Sequence, residues 1–233
     1  MTSLLAHAGP TLLWGAASLL MALLHGALVV PRLAEPPDGP QLAKLPYRAL
    51  RAPRRILALA LMTAVTQPAL AAVAAPLRPV WFVYGAAVAA LVWVDACTTW
   101  LPRPLTVLVG GELAAAASIA IWLTPDRSSL AVSLGAGAVG AALFWWLFWR
   151  LSRGGIGFGD VLLAPLIGAV AATMGMSGWF AAWLSGAALG VVWGGLVARR
   201  HPAPGTTNGF AYGPALWAGP YCALLWTGLS GQP

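Results

Sequence analysis

Only six of the 233 residues are acidic, and two of them stand where a carboxylate is expensive. Asp95 closes the run Leu91-Val92-Trp93-Val94-Asp95, and Asp160 follows Gly157-Phe158-Gly159 at the head of another apolar stretch. An Asp at the centre of a membrane helix costs roughly 2.5–3.5 kcal/mol on insertion scales, so acids in or beside such runs are functional candidates by default. Glu35 and Asp38 lie in a polar segment and Asp126 sits beside Arg127 in a turn, where water can solvate them. Two carboxylates brought together can hydrolyse an amide. One, ionised, takes a proton from the attacking water; the other, protonated, hydrogen-bonds the scissile carbonyl and later donates its proton. Such a pair shares one proton and titrates as a unit.

The elements that must position these two residues are membrane helices. The chain is 60% hydrophobic and 8% charged, whereas a soluble domain carries roughly a quarter charged residues to cover its surface. Thirteen Trp residues suit a chain with two headgroup boundaries to mark. A span needs about 20 mostly apolar residues, and eight runs qualify, at residues 9–31, 55–75, 79–95, 105–123, 129–149, 161–177, 179–198 and 212–230. The third and sixth are short, and the division near Gly175–Gly178 is the weakest boundary. Pro and Gly mark the breaks, at Pro76 and Pro79, Pro102 and Pro104, Pro125, Gly154 and Gly155, and Pro202 and Pro204. The expected fold is all-α, a polytopic membrane protein of about eight transmembrane helices in a single integral domain over residues 1–233.

The bases orient these spans. The first run has no Lys or Arg before Arg32, the reverse of a secretory signal. With the N-terminus outside, alternation puts Arg32, Lys44, Arg48, Arg51, Arg54, Arg55, Arg103, Arg150, Arg153, Arg199 and Arg200 on the cytoplasmic side, and only Arg78 and Arg127 outside. That asymmetry follows the positive-inside rule and implies that both termini are outside. The net charge of +7 is thereby an orientation signal rather than a nucleic-acid footprint. The Pro-rich, basic loop at 32–54 reads as a cytoplasmic connector near anionic headgroups.

In this topology Asp95 and Asp160 reach one depth, at the cytoplasmic boundary, as a catalytic pair must. The arrangement has an equally simple structural reading, with Asp160 capping or facing the positive end of its helix and Asp95 paired to a nearby Arg. Gly157 and Gly159 allow close backbone approach and permit positive φ before the helix begins.

Taken together, three stretches resemble the type IV prepilin leader peptidase family, membrane aspartyl proteases with a GxGD motif. The first is Asp95-Ala96-Cys97-Thr98-Thr99-Trp100-Leu101-Pro102-Arg103-Pro104-Leu105-Thr106, similar to the segment carrying the family's first catalytic aspartate. Gly157-Phe158-Gly159-Asp160 resembles the segment of the second. Phe210-Ala211-Tyr212-Gly213-Pro214-Ala215-Leu216 resembles the Phe-Gly-Pro stretch that opens the family's last helix. The likeness covers about residues 80–230. It implies an aspartic endopeptidase of the inner membrane, with Asp95 and Asp160 catalytic and Gly157, Gly159, Pro102, Thr106, Gly213 and Pro214 supporting them. The implied partner is a prepilin or pseudopilin precursor, a basic leader followed by an apolar helix, cut at the cytoplasmic face. No cofactor is implied.

The chain departs from that pattern in three places. Arg103 stands where many members have Asn or Asp, and Leu162 where a Lys is usual. The first cytoplasmic loop lacks the paired CxxC segment linked to N-methylation in bifunctional members, so peptidase activity without methyl transfer is expected. The alternative is a catalytically degenerate relative acting as a pilus or secretion-system component. A small transporter using both acids for proton coupling fits less well, since transport favours acids near the midplane.

Other residues carry blander expectations. Glu112, within the fourth span, is better read as a polar contact to a neighbouring helix than as a third functional acid, and His25 as a residue that hydrogen-bonds across helices. Cys97 and Cys222 are small apolar fillers. No cluster has metal-ligand spacing. Trp145, Trp146 and Trp149 beside Arg150 suggest an interfacial anchor.

Overall fold

The computed structural model describes residues 2–34, 45–153, 156–200 and 211–230. Within them the chain is helical, with no strand. Six helices are long and apolar enough to cross a membrane: Leu13–Arg32, Pro53–Ala72, Ala75–Thr98, Arg103–Leu123, Arg127–Leu151 and Gly175–Val197. This is the architecture of a multi-pass membrane protein, and each helix overlaps an expected span. The other two expected spans fall on shorter helices, Phe158–Ala172 with 15 residues and Gly213–Ser230 with 18. Glu35, Asp38, Lys44, Gly154, Gly155, Pro202, Pro204 and Phe210 lie outside the described residues.

Three boundaries differ from expectation. The third span is not short, because a 24-residue helical stretch runs from Ala75 to Thr98 and Asp95 lies one turn inside its end. The weak boundary falls just before Gly175, which opens the next helix at φ +74, a left-handed conformation that suits glycine. Within the connector at 32–54, Tyr47–Arg51 is a 3-10 helix, and Pro53 opens the next helix at a position where its missing N–H costs nothing.

The described chain forms two compact units. The first takes residues up to Val94 together with Pro102–Arg127. Here the first helix packs on Pro53–Ala64 and Gln67–Ala72, and Arg78–Val83 packs on Arg103–Leu123. Gly26 lets the Leu59 side chain come close, since a Cβ there would lie 2.6 Å from Leu59 Cδ2. Two π-helical turns, His25–Val29 and Tyr84–Val88, interrupt otherwise regular helices. His25, at the start of the first, bonds the Glu112 carboxylate across helices at 3.1 Å, as the two residues' polar character suggested. Its other ring nitrogen bonds the Met21 carbonyl at 2.8 Å.

The second unit takes Asp95–Leu101 and the residues from Ser128 onward. Its helices meet through glycines, because lipid gives apolar helices little reason to associate and close van der Waals contact has to hold them. A Cβ on Gly137 would lie 2.6 Å from the Gly168 carbonyl oxygen, and one on Gly168 would meet the Gly137 carbonyl in return. Likewise a Cβ on Gly186 would lie 3.1 Å from Leu216 Cα, and one on Gly219 would meet the Ala182 carbonyl. Large residues such as Val132, Leu143, Phe144, Leu184 and Val191 point outward, the reverse of a water-soluble protein and the pattern a bilayer favours.

Candidate functional site

Asp95 and Asp160 both belong to the second unit and both are buried, at 7% and 9% exposure. The charge of Asp95 acts on the Asp160 carboxylate. Helix Ala89–Thr98 carries Asp95 on its last full turn, and the Asp95 carbonyl accepts a bond from Thr99 N–H at 2.7 Å as the helix closes. Thr99 then takes φ +53, a left-handed turn that costs a β-branched residue energy. The break sends the chain into Trp100 and Leu101.

Asp160 is the third residue of helix Phe158–Ala172, not its cap. Gly157 is the N-cap and makes no side-chain bond, and the Asp160 N–H bonds the Gly157 carbonyl at 3.2 Å. The carboxylate therefore stands in the first turn, at the positive end of the peptide dipoles. Gly157 has φ −69 and Gly159 is helical, so the left-handed freedom expected of these glycines is not used. Their value is space. A Cβ on Gly159 would lie 2.8 Å from Leu101 Cδ1, and one on Gly157 would lie 3.8 Å from Asp160 Oδ2.

Gly213 closes the other side. It opens helix Gly213–Ser230 with Pro214 behind it, and a Cβ there would sit 2.5 Å from Asp95 Oδ2. Asp95, Asp160, Gly157, Gly159 and Gly213 thus converge within one unit, from three separated stretches of sequence. Pro102 and Thr106 belong to the first unit. Pro102 is the N-cap of Arg103–Leu123, and the Thr106 hydroxyl donates to its carbonyl at 3.2 Å. Their visible role is to start that helix.

Arg103 is exposed and Leu162 half-buried. Tyr212 was not singled out from sequence. Its ring lies against Gly190 and 6.0 Å from the Trp145 ring, and its hydroxyl feels the charge of Asp160. Its place in the Phe210–Leu216 stretch, next to Gly213, is the sequence signal that marks it. Trp145 itself is buried and contacts Trp183 as well as Tyr212, which corrects the expectation of an interfacial anchor; Trp146 remains exposed. Among the described residues no three His, Cys, Asp or Glu side chains gather as a metal ligand set would. The arrangement brings two buried carboxylates into one unit.

Comparison of the chain with family models, with curated proteins and with solved structures finds no match.

Proposed function

We propose that this protein is an intramembrane aspartyl endopeptidase of the prepilin leader peptidase type. In this reading Asp95 and Asp160 share one proton. The ionised member activates water and the protonated member polarises the scissile carbonyl, then protonates the leaving amine. The substrate is a prepilin or pseudopilin precursor whose apolar helix lies in the bilayer and whose basic leader is cut at the cytoplasmic face. The proposal includes eight spans with both termini outside, an inner-membrane location, and cleavage without N-methylation.

One observation carries the reading. Asp95 and Asp160 are buried in the same unit and interact, with Gly213 against the carboxylate of one and Gly157 near that of the other. A solvated boundary residue or a simple helix cap needs no such convergence. The second reading, a non-catalytic relative, draws on Leu162, whose apolar side chain follows Asp160 where the family usually places a Lys.

Processing of a pilin-like precursor in membranes distinguishes the two. Wild type should release the leader, and Asp95→Asn or Asp160→Asn should each slow release by at least about a hundredfold, as expected when an acid–base group is removed. Full processing by either variant sinks the two-aspartate mechanism. No processing by correctly inserted wild type favours the non-catalytic component.

A further inference from the structure

The chain leaving the first long helix and the chain entering the second both present arginines. Helix Leu13–Arg32 ends and helix Pro53–Ala72 begins where apolar sequence gives way to basic sequence, the level at which a span meets headgroups. The 3-10 helix Tyr47–Arg51 has three residues per turn, so residues three apart share a face. Tyr47 and Leu50 are buried at 1% and 0% exposure and fix the turn to the protein. The residue after each anchor, Arg48 and Arg51, is consequently exposed on the outer face. Arg32 is exposed at the end of the preceding helix and held there by its bond to the Leu28 carbonyl.

Beyond the turn, Ala52, Pro53, Arg54 and Arg55 line a concavity of about 510 Å³. It lies at the start of helix Pro53–Ala64, whose first turn contains no acid, so the helix dipole adds positive potential there. Arg55 Nη1 donates to the Ala49 carbonyl at 2.6 Å, which fixes its guanidinium while leaving other N–H groups for a ligand. Arg54 is exposed, and among the described residues no hydrogen bond or ion pair holds its side chain. Polybasic segments in general attract anionic leaflets. Here a buried Tyr and Leu anchor residues 47–51, and the concavity follows directly at Ala52–Arg55.

We propose that Arg54 and Arg55, with Arg48 and Arg51 beside them, form a binding site for the phosphate of an anionic phospholipid headgroup. Guanidinium groups bind phosphate by paired N–H donors, and a change from apolar to basic sequence marks the level at which a span meets headgroups. The inference is independent of the peptidase reading, since it rests on residues of the first unit alone.

The test titrates the purified full-length protein in detergent with phosphatidylglycerol or phosphatidylcholine and reads bound lipid by native mass spectrometry. Wild type should bind phosphatidylglycerol in preference to phosphatidylcholine. Arg54→Gln should weaken that binding about fivefold, and Arg48→Gln/Arg54→Gln about twenty-five-fold, from the contribution of one basic residue near an anionic surface. Arg127→Gln, at another helix start, should leave it unchanged. Arg54 makes no contact that the fold requires, and Arg54→Lys, which keeps the charge, should retain most of the affinity. Equal binding of the two lipids by wild type, or unchanged binding by Arg54→Gln, overturns the site. Displacement of the lipid by millimolar inorganic phosphate overturns the lipid as its source and assigns the same arginines to free phosphate.

Discussion

Replacing Gly213 with alanine perturbs one contact whose geometry is known. The new Cβ would lie 2.5 Å from Asp95 Oδ2, 3.4 Å from Asp95 Cγ and 3.3 Å from Leu163 Cδ2. Ordinary contact begins near 3.4 Å, so the Leu163 methyl need hardly move, whereas the carboxylate must retreat by about 0.9 Å. Displacements of about 1 Å at reacting groups cost roughly a hundredfold in rate. Overpacking of a close-packed interior costs about 1–3 kcal/mol of stability. Gly213→Ala should therefore fold, lose about a hundredfold in precursor processing, and lose stability by that amount. The stability loss has a distinctive partner: in Asp95→Ala the opposing oxygen is gone, and Gly213→Ala should cost little there. The assay is a double-mutant cycle by denaturation in detergent, with processing measured alongside. Additive costs for the two substitutions, or wild-type processing by Gly213→Ala, would refute the claim that Gly213 sets the place of the Asp95 carboxylate.

The remaining predictions concern packing. Gly168→Val should cost about 3 kcal/mol or more and give aggregated material on size-exclusion chromatography, because its neighbour is the Gly137 backbone carbonyl, which cannot step aside. Gly159→Ala comes too close only to the Cδ1 end of the flexible Leu101 side chain, so its loss of melting temperature should be small and should be recovered by Leu101→Ala. Glu112→Leu leaves His25 Nε2 without its partner across the helices, at a cost of about 1–3 kcal/mol. His25→Leu/Glu112→Leu should be less destabilised than Glu112→Leu, and equal or greater loss in denaturation of the double variant would contradict the pairing.

Much of this was legible in the sequence where composition alone decides. Runs of apolar residues had to become helices in lipid, because every backbone donor and acceptor must be satisfied internally, and the helices lie where the runs lie. Two carboxylates in such a chain stood out for the same reason. Other features are set by contacts that no local pattern announces. Nothing in His25–Val29 or Tyr84–Val88 marks a π-helical turn. The glycines at 157 and 159 suggested backbone freedom, whereas their lack of a Cβ is what matters, and only the position of Leu101 reveals it. Tyr47 and Leu50 sit in a stretch whose prolines and arginines suggested a plain connector, and three-residue spacing of two apolar residues is too weak a signal to override that. Tyr212 gained its place beside Asp160 from Gly190 and Trp145, both distant in sequence.

The convergence of Asp95, Asp160 and Gly213 also sets a clock. Synthesis proceeds from the N-terminus, so Asp95 leaves the ribosome well before Asp160, and the glycine that backs its carboxylate comes later still. During that interval the helix carrying Asp95 lacks the neighbours that will bury it. A half-made chain therefore has one aspartate of the pair, then both, before it has the wall that holds them. The surroundings of the pair are complete only once helix Gly213–Ser230 has been made.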